Sequence, residues 1–156
     1  MEFVIDLPKI NAERDRLRDQ YLRPQGERKS TPTRGVHHIA LLSSDVERTI
    51  RFYQELLGFP LTELFENRDY AGSNHFFFDI GNGNLLAFFD FPDLPLEPYA
   101  EVLGGLHHIA ISIPPDLWTE ARERLMAAGH AVHEESGTAL YLPGPDGARP
   151  ELIPDP

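Results

Sequence analysis

The chain has 156 residues, 41 % of them hydrophobic and 25 % charged, ordinary proportions for one globular domain, and its lack of cysteine excludes disulfides, thiolate metal sites and cysteine nucleophiles. The formal charge of −11 is uneven: residues 1–34 carry eight basic and six acidic side chains, the remainder six basic and nineteen acidic. A body this acidic repels phosphate backbones, and the chain shows neither an apolar run of about 18 residues nor a signal-like start, so the expectation is a cytoplasmic protein with no nucleic acid and no membrane as partner.

Asp6 and Pro8 mark a helix start, and Leu7, Ile10, Leu17 and Tyr21 form a sparse apolar stripe to about residue 22. Pro24, Gly26 and Pro32 then break the pattern, making residues 1–34 a short helical arm and linker. Val36 to Leu42 reads as a buried strand. Asp45 is placed to cap a helix carrying Val46, Ile50, Tyr53 and Leu57 on one face, with Gly58 to end it. Strand-like segments follow at Leu61–Phe65, His75–Ile80 and Leu85–Phe91, the last two joined by the turn Gly81-Asn82-Gly83-Asn84.

Residues 92–104 form a proline-rich connector, after which the order repeats. Leu106–Ile113 reads as a strand, and Asp116 is expected to cap a helix bearing Leu117, Ala121, Leu125 and Ala128, ended by Gly129. Strands at about His130–Glu134, Ala139–Leu142 and Arg149–Ile153 complete it, with Pro145-Asp146-Gly147 as a turn. Each half, with about 50–60 residues, is too small for a generous core of its own, so the halves should pack together.

The duplication is explicit in one pattern: Gly35-Val36-His37-His38-Ile39-Ala40 and Gly105-Leu106-His107-His108-Ile109-Ala110. Four of the seven histidines therefore stand at equivalent places in a repeat, and a fixed-period repeat reports architecture before any single motif does. Strand side chains alternate faces, so Ile39 and Leu41 go with His37 under the helix, and His38 goes with the small Ala40 towards a concave side. The same alternation selects His108, beside Ala110. Glu151 sits on the final strand, its neighbours Pro150 and Leu152 facing the other way. Two imidazoles and a carboxylate from three strands are the parts of a facial triad, which suits Fe(II), Mn(II) or other divalent ions.

These features resemble the vicinal oxygen chelate superfamily, which includes glyoxalase I, extradiol dioxygenases, fosfomycin-resistance enzymes and bleomycin-resistance proteins. The resemblance covers residues 35–154 and rests on the His-His-Ile-Ala strand starts, on Asp45 to Phe59, and on the ending Pro145-Asp146-Gly147 … Glu151-Leu152. It implies an α+β fold of two βαβββ modules, 35–91 and 105–154, forming a cupped, partly closed mixed sheet around a divalent metal. It implies His38, His108 and Glu151 as metal ligands. Ala87 stands where a glyoxalase I carries a fourth ligand, and Ala40 where fosfomycin-resistance enzymes carry a threonine.

The pattern is thus most similar to that of an extradiol-type dioxygenase acting on a substrate with adjacent oxygens. There the resemblance gives His75 the role of acid–base catalyst and Tyr141 that of a hydrogen-bonding residue beside the metal. Asn74, Asn84 and Arg149 are weaker polar candidates. The alternatives are a metal-dependent isomerase, lyase or thiol transferase using Ni, Zn or Co, and a non-catalytic drug-binding protein. The family also implies a homodimer, with the modules pairing within one chain or between two.

Overall fold

A computed structural model describes residues 6–31, 33, 35–92, 94–95, 97–100, 102–135 and 139–154. Pro32, expected as a helix breaker, lies outside them. Residues 1–35 and 36–156 form separate compact units. In the first, α1 (Leu7–Tyr21) starts where the sequence places it: Asp6 accepts from the backbone N–H of Lys9 at 3.1 Å. None of its described residues is buried within the unit, so the apolar stripe is exposed there.

The second unit contains the repeat. Module one comprises β1 (His38–Leu42), α2 (Val46–Ile50), β2 (Leu61–Glu66), β3 (Asn74–Asp79) and β4 (Leu85–Phe89). Module two comprises β5 (Ile109–Ile113), α3 (Pro115–Ala127), β6 (His133–Glu135), β7 (Ala139–Tyr141) and β8 (Pro150–Pro154). Each makes a four-stranded sheet of the same topology, β1-β4-β3-β2 and β5-β8-β7-β6, in which the first strand runs parallel to the last and the other pairings are antiparallel. The fold is α+β with paired βαβββ modules, and the sheets do not close into a barrel.

The differences from expectation are local. The helix of module one does not keep one α-helical stripe: after Ile50 it widens to a π-helical turn over Arg51–Leu56, with Leu57 N–H reaching Phe52 C=O at 3.2 Å. The wide turn lets the adjacent large rings of Phe52 and Tyr53 both point inward, 4 % and 1 % exposed. In module two Asp116 is not the cap. Pro114 takes that place and Pro115 is the first helical residue, where a missing N–H costs nothing, leaving Asp116 in the first turn. The module-two strand starts at Ile109 rather than Leu106, so His108 stands at the entrance of β5.

The core unites the modules. Phe76, Phe78, Leu86 and Phe88 from one sheet meet Ile109, Ile111, Leu140 and Leu152 from the other, with Phe52, Tyr53, Ala121 and Leu125 between them. Ile39 and Leu41 pack against this cluster as alternation requires. A clasp adds to it: Asp146, on the β7–β8 turn, accepts from Ser44 Oγ at 2.5 Å, Ser44 N at 3.2 Å and Arg48 Nη2 at 2.7 Å at the entry to α2. Burial, and secondarily the Asp146 charge, push the Tyr53 hydroxyl well above its ordinary range.

Candidate metal and substrate site

Because ladder partners share a sheet face, register alone defines the surface of module one that turns away from the core. It carries His38, Ala40 and Leu42 from β1, abreast of Leu85, Ala87 and Phe89 from β4. His75, Phe77 and Asp79 of β3 come next, then Glu63 and Phe65 of β2. The corresponding surface of module two carries Ala110 and Ser112 of β5, Glu151 and Ile153 of β8, Tyr141 of β7 and His133 of β6.

In module two the candidate ligands meet. Glu151 is 5 % exposed, and its Oε2 lies 3.1 Å from His108 Nε2. Tyr141 is paired with Glu151 across the ladder and stands edge-on to the His108 ring, centroids 5.8 Å apart. The Arg149 guanidinium lies 5.3 Å from the Tyr141 ring centroid and its Nη2 reaches His107 at 3.2 Å. A buried carboxylate with an imidazole as neighbour fits a divalent ion: two N or O ligands at right angles, each about 2.1 Å from the metal, stand about 3.0 Å apart.

In module one His75 lies in an aromatic box. Its ring stacks on Phe89 at 3.8 Å and 18°, with Phe77 at 4.2 Å and Phe65 at 5.3 Å. Its Nε2 is buried without a hydrogen-bond partner among the described residues. Desolvation in this box holds the imidazole below its ordinary pKa; His38 and Arg68 act in the same direction, and Glu63 opposes them. His38 stands edge-on to Phe77 at 5.9 Å.

The three expected ligands are not gathered in one place. Among the described residues no three His, Asp or Glu side chains converge as a metal cage, so His38 stands apart from the His108–Glu151 pair. The reason is the shared core: both sheets turn their apolar faces to it, which sends both candidate surfaces outward and leaves His38, Ala40 and Ala110 exposed. A cavity of about 830 Å³ adjoins this surface of module one, lined by Ala40, Leu42, Tyr99 and Asp146 among others.

The weaker candidates separate. Asn74 is engaged with Asp90 at 3.2 Å and Asn84 closes the β3–β4 turn, whereas Arg149 belongs to the module-two cluster. Sequence reasoning passed over Phe65 and Glu63, whose only signal was period-two alternation into His75's face, and over the side chains of His37 and His107.

Comparison with known proteins agrees with this architecture. The chain is 29 % identical over 107 residues to a Bacillus subtilis (strain 168) protein named "Putative ring-cleaving dioxygenase MhqE", a match covering 67 % of this chain and 35 % of that one. The chain therefore spans about a third of that relative's length. Among solved structures, a glyoxylase/bleomycin resistance protein/dioxygenase domain from Frankia sp. EAN1pec superposes with a TM-score of 0.68 at 20 % identity, covering 80 % of this chain and 99 % of that one. The fosfomycin resistance protein FosX from Mesorhizobium loti gives 0.62 at 22 % identity, covering 80 % and 94 %. These two likenesses concern the fold. Residues 35–147 match the family model, and the chain belongs to the Glyoxalase/Bleomycin resistance protein/Dioxygenase superfamily.

Proposed function

We propose that the protein is a divalent-metal-dependent enzyme of the extradiol dioxygenase type, acting on an aromatic substrate with adjacent oxygens. The observation that carries this reading is the His108–Glu151 pair, set at the separation expected of two neighbouring ligands on one ion. When bound, Fe(II) or Mn(II) supplies a chelating centre for two adjacent oxygens and lowers the pKa of a substrate hydroxyl. His75, its pKa held down by the aromatic box, is suited to accept that proton, and the exposed ring of Phe65 offers an apolar contact to an aromatic substrate. In this reading Tyr141, whose ring stands edge-on to His108, donates a hydrogen bond to a substrate oxygen. The name of the B. subtilis relative supports ring cleavage.

The outward-facing surfaces support a homodimer in which His38 of one protomer joins His108 and Glu151 of its partner. Mixed subunits test this. A heterodimer of His38→Ala and Glu151→Ala chains keeps one intact site if ligands come from two chains, and none if they come from one. The expected outcome is metal content and oxygen uptake restored to about one site in two; failure to complement refutes the shared site. For the reaction, the test is oxygen uptake with catechols by protein reloaded with Fe(II) or Mn(II). Uptake lost in His75→Ala, with metal retained, is expected. A metal-loaded protein that isomerises or adds thiols without consuming oxygen refutes the dioxygenase reading.

A further inference from the structure

Each His-His dipeptide brings its two Nδ1 atoms together. The separation is 2.9 Å between His37 and His38, with ring planes at 78°, and 2.6 Å between His107 and His108, at 74°. The same contact thus occurs in both halves of the duplication, each time between a candidate metal ligand and the residue before it.

Donor and acceptor chemistry assigns a direction to the module-two contact. A neutral imidazole has one N–H and one lone pair, so in each pair one Nδ1 donates and the other accepts. Arg149 Nη2 lies 3.3 Å from His107 Nδ1 and 3.2 Å from His107 Nε2, equally near both ring nitrogens, so it sets no direction. Glu151 does: ionised, it can only accept, and its Oε2 stands 3.1 Å from His108 Nε2. With His108 neutral in the metal-free protein, His108 Nε2–H donates to Glu151, and His107 Nδ1–H donates to His108 Nδ1. The reverse arrangement sets two acceptors against each other at Glu151.

We propose that His107, and His37 in module one, are positioning residues that orient His108 and His38 and decide which ring nitrogen carries the proton. The inference rests on the metal reading of these histidines. An ion on His108 needs the Nε2 lone pair, so the ring must hold its proton on Nδ1, and His107 Nδ1 is the acceptor that receives it. Metal loading therefore reverses the Nδ1–Nδ1 hydrogen bond, with no change in the net charge of either ring. The neighbouring imidazole does the work that a carboxylate or carbonyl usually does behind a metal-bound histidine.

The probe is Zn(II), which is diamagnetic and binds N/O sites well. Long-range 1H–15N spectra of the wild-type protein at about pH 8, above the ordinary imidazole pKa of about 6.5, report the tautomers directly. The expected result is the His108 proton on Nε2 without metal and on Nδ1 with Zn(II). Zn(II) affinity should fall roughly 10- to 100-fold in His107→Leu and recover in His107→Asn, whose amide oxygen can accept from Nδ1. A metal-free spectrum with the proton already on Nδ1, or His107→Leu binding as tightly as wild type, overturns the positioning role and leaves the metal site standing. Wild-type protein that binds no Zn(II) overturns the metal reading, and this inference with it.

Discussion

The Asp146 clasp joins the modules through few enough contacts for its removal to be worked out. In Asp146→Ala the chain loses two bonds from Ser44, at 2.5 and 3.2 Å, and the contact from Arg48 at 2.7 Å. Hydrogen bonds to a charged group are worth about 1.5–3 kcal/mol each. The Arg48 side chain is 51 % exposed, so solvent screening reduces its share to about 0.5 kcal/mol. Ser44 is also exposed, and water recovers part of its two bonds, leaving a net loss of about 2 kcal/mol for the variant. For a domain of this size that is about 4–8 °C in Tm. Urea unfolding should show a lower midpoint at unchanged slope, the signature of lost stability without a change in the surface exposed. Arg48→Met should cost about 0.5 kcal/mol, shrinking as salt is added. An Asp146→Ala variant within about 0.5 kcal/mol of wild type would refute the reasoning and show that the clasp adds nothing to the joining of the modules.

Three further perturbations probe separate parts of the fold. Gly144→Ala places a methyl 2.6 Å from the Ala148 carbonyl oxygen, so backbone must move and a loss of about 1–3 kcal/mol is expected in the same unfolding assay. Phe78→Ala empties a fully buried position packed on Tyr53 and Phe88 and should cost about 3–5 kcal/mol. For His75, the native pKa lies below the ordinary 6.5, so the unfolded chain takes up the proton first. Its contribution is therefore fully present above that value and is lost as pH falls from 6.5 towards the lowered native pKa. His75→Phe should lose less stability than wild type between about pH 8 and 5.5; identical losses would show that the aromatic box does not disfavour the charged ring.

Much of the architecture was legible in residue order because its causes are local. The 70-residue offset between the His-His-Ile-Ala segments announced two like modules, and Asp6 capped its helix as its side-chain chemistry dictates. Period-two alternation sorted Ile39 and Leu41 from His38 and Ala40, and it put Glu151 on the face opposite Leu152. Where local cues competed, they misled: Pro115 displaced Asp116 from the cap, and the pair Phe52-Tyr53 forced a π-helical turn that no stripe of every third or fourth residue foretells.

Which candidate residues meet was a matter for the tertiary structure alone. His38 and His108 occupy equivalent places in the repeat, yet only His108 lies beside Glu151, because β5 and β8 are neighbours in one sheet while β1 belongs to the other. The aromatic box around His75 likewise draws on three strands whose register is set by pairing, not by proximity in the chain. Sequence determined the parts and the face each would occupy, since side-chain direction follows backbone period. The placing of those faces outward, around one shared core, followed from burying the apolar sides of both modules together, a long-range demand that no segment expresses by itself.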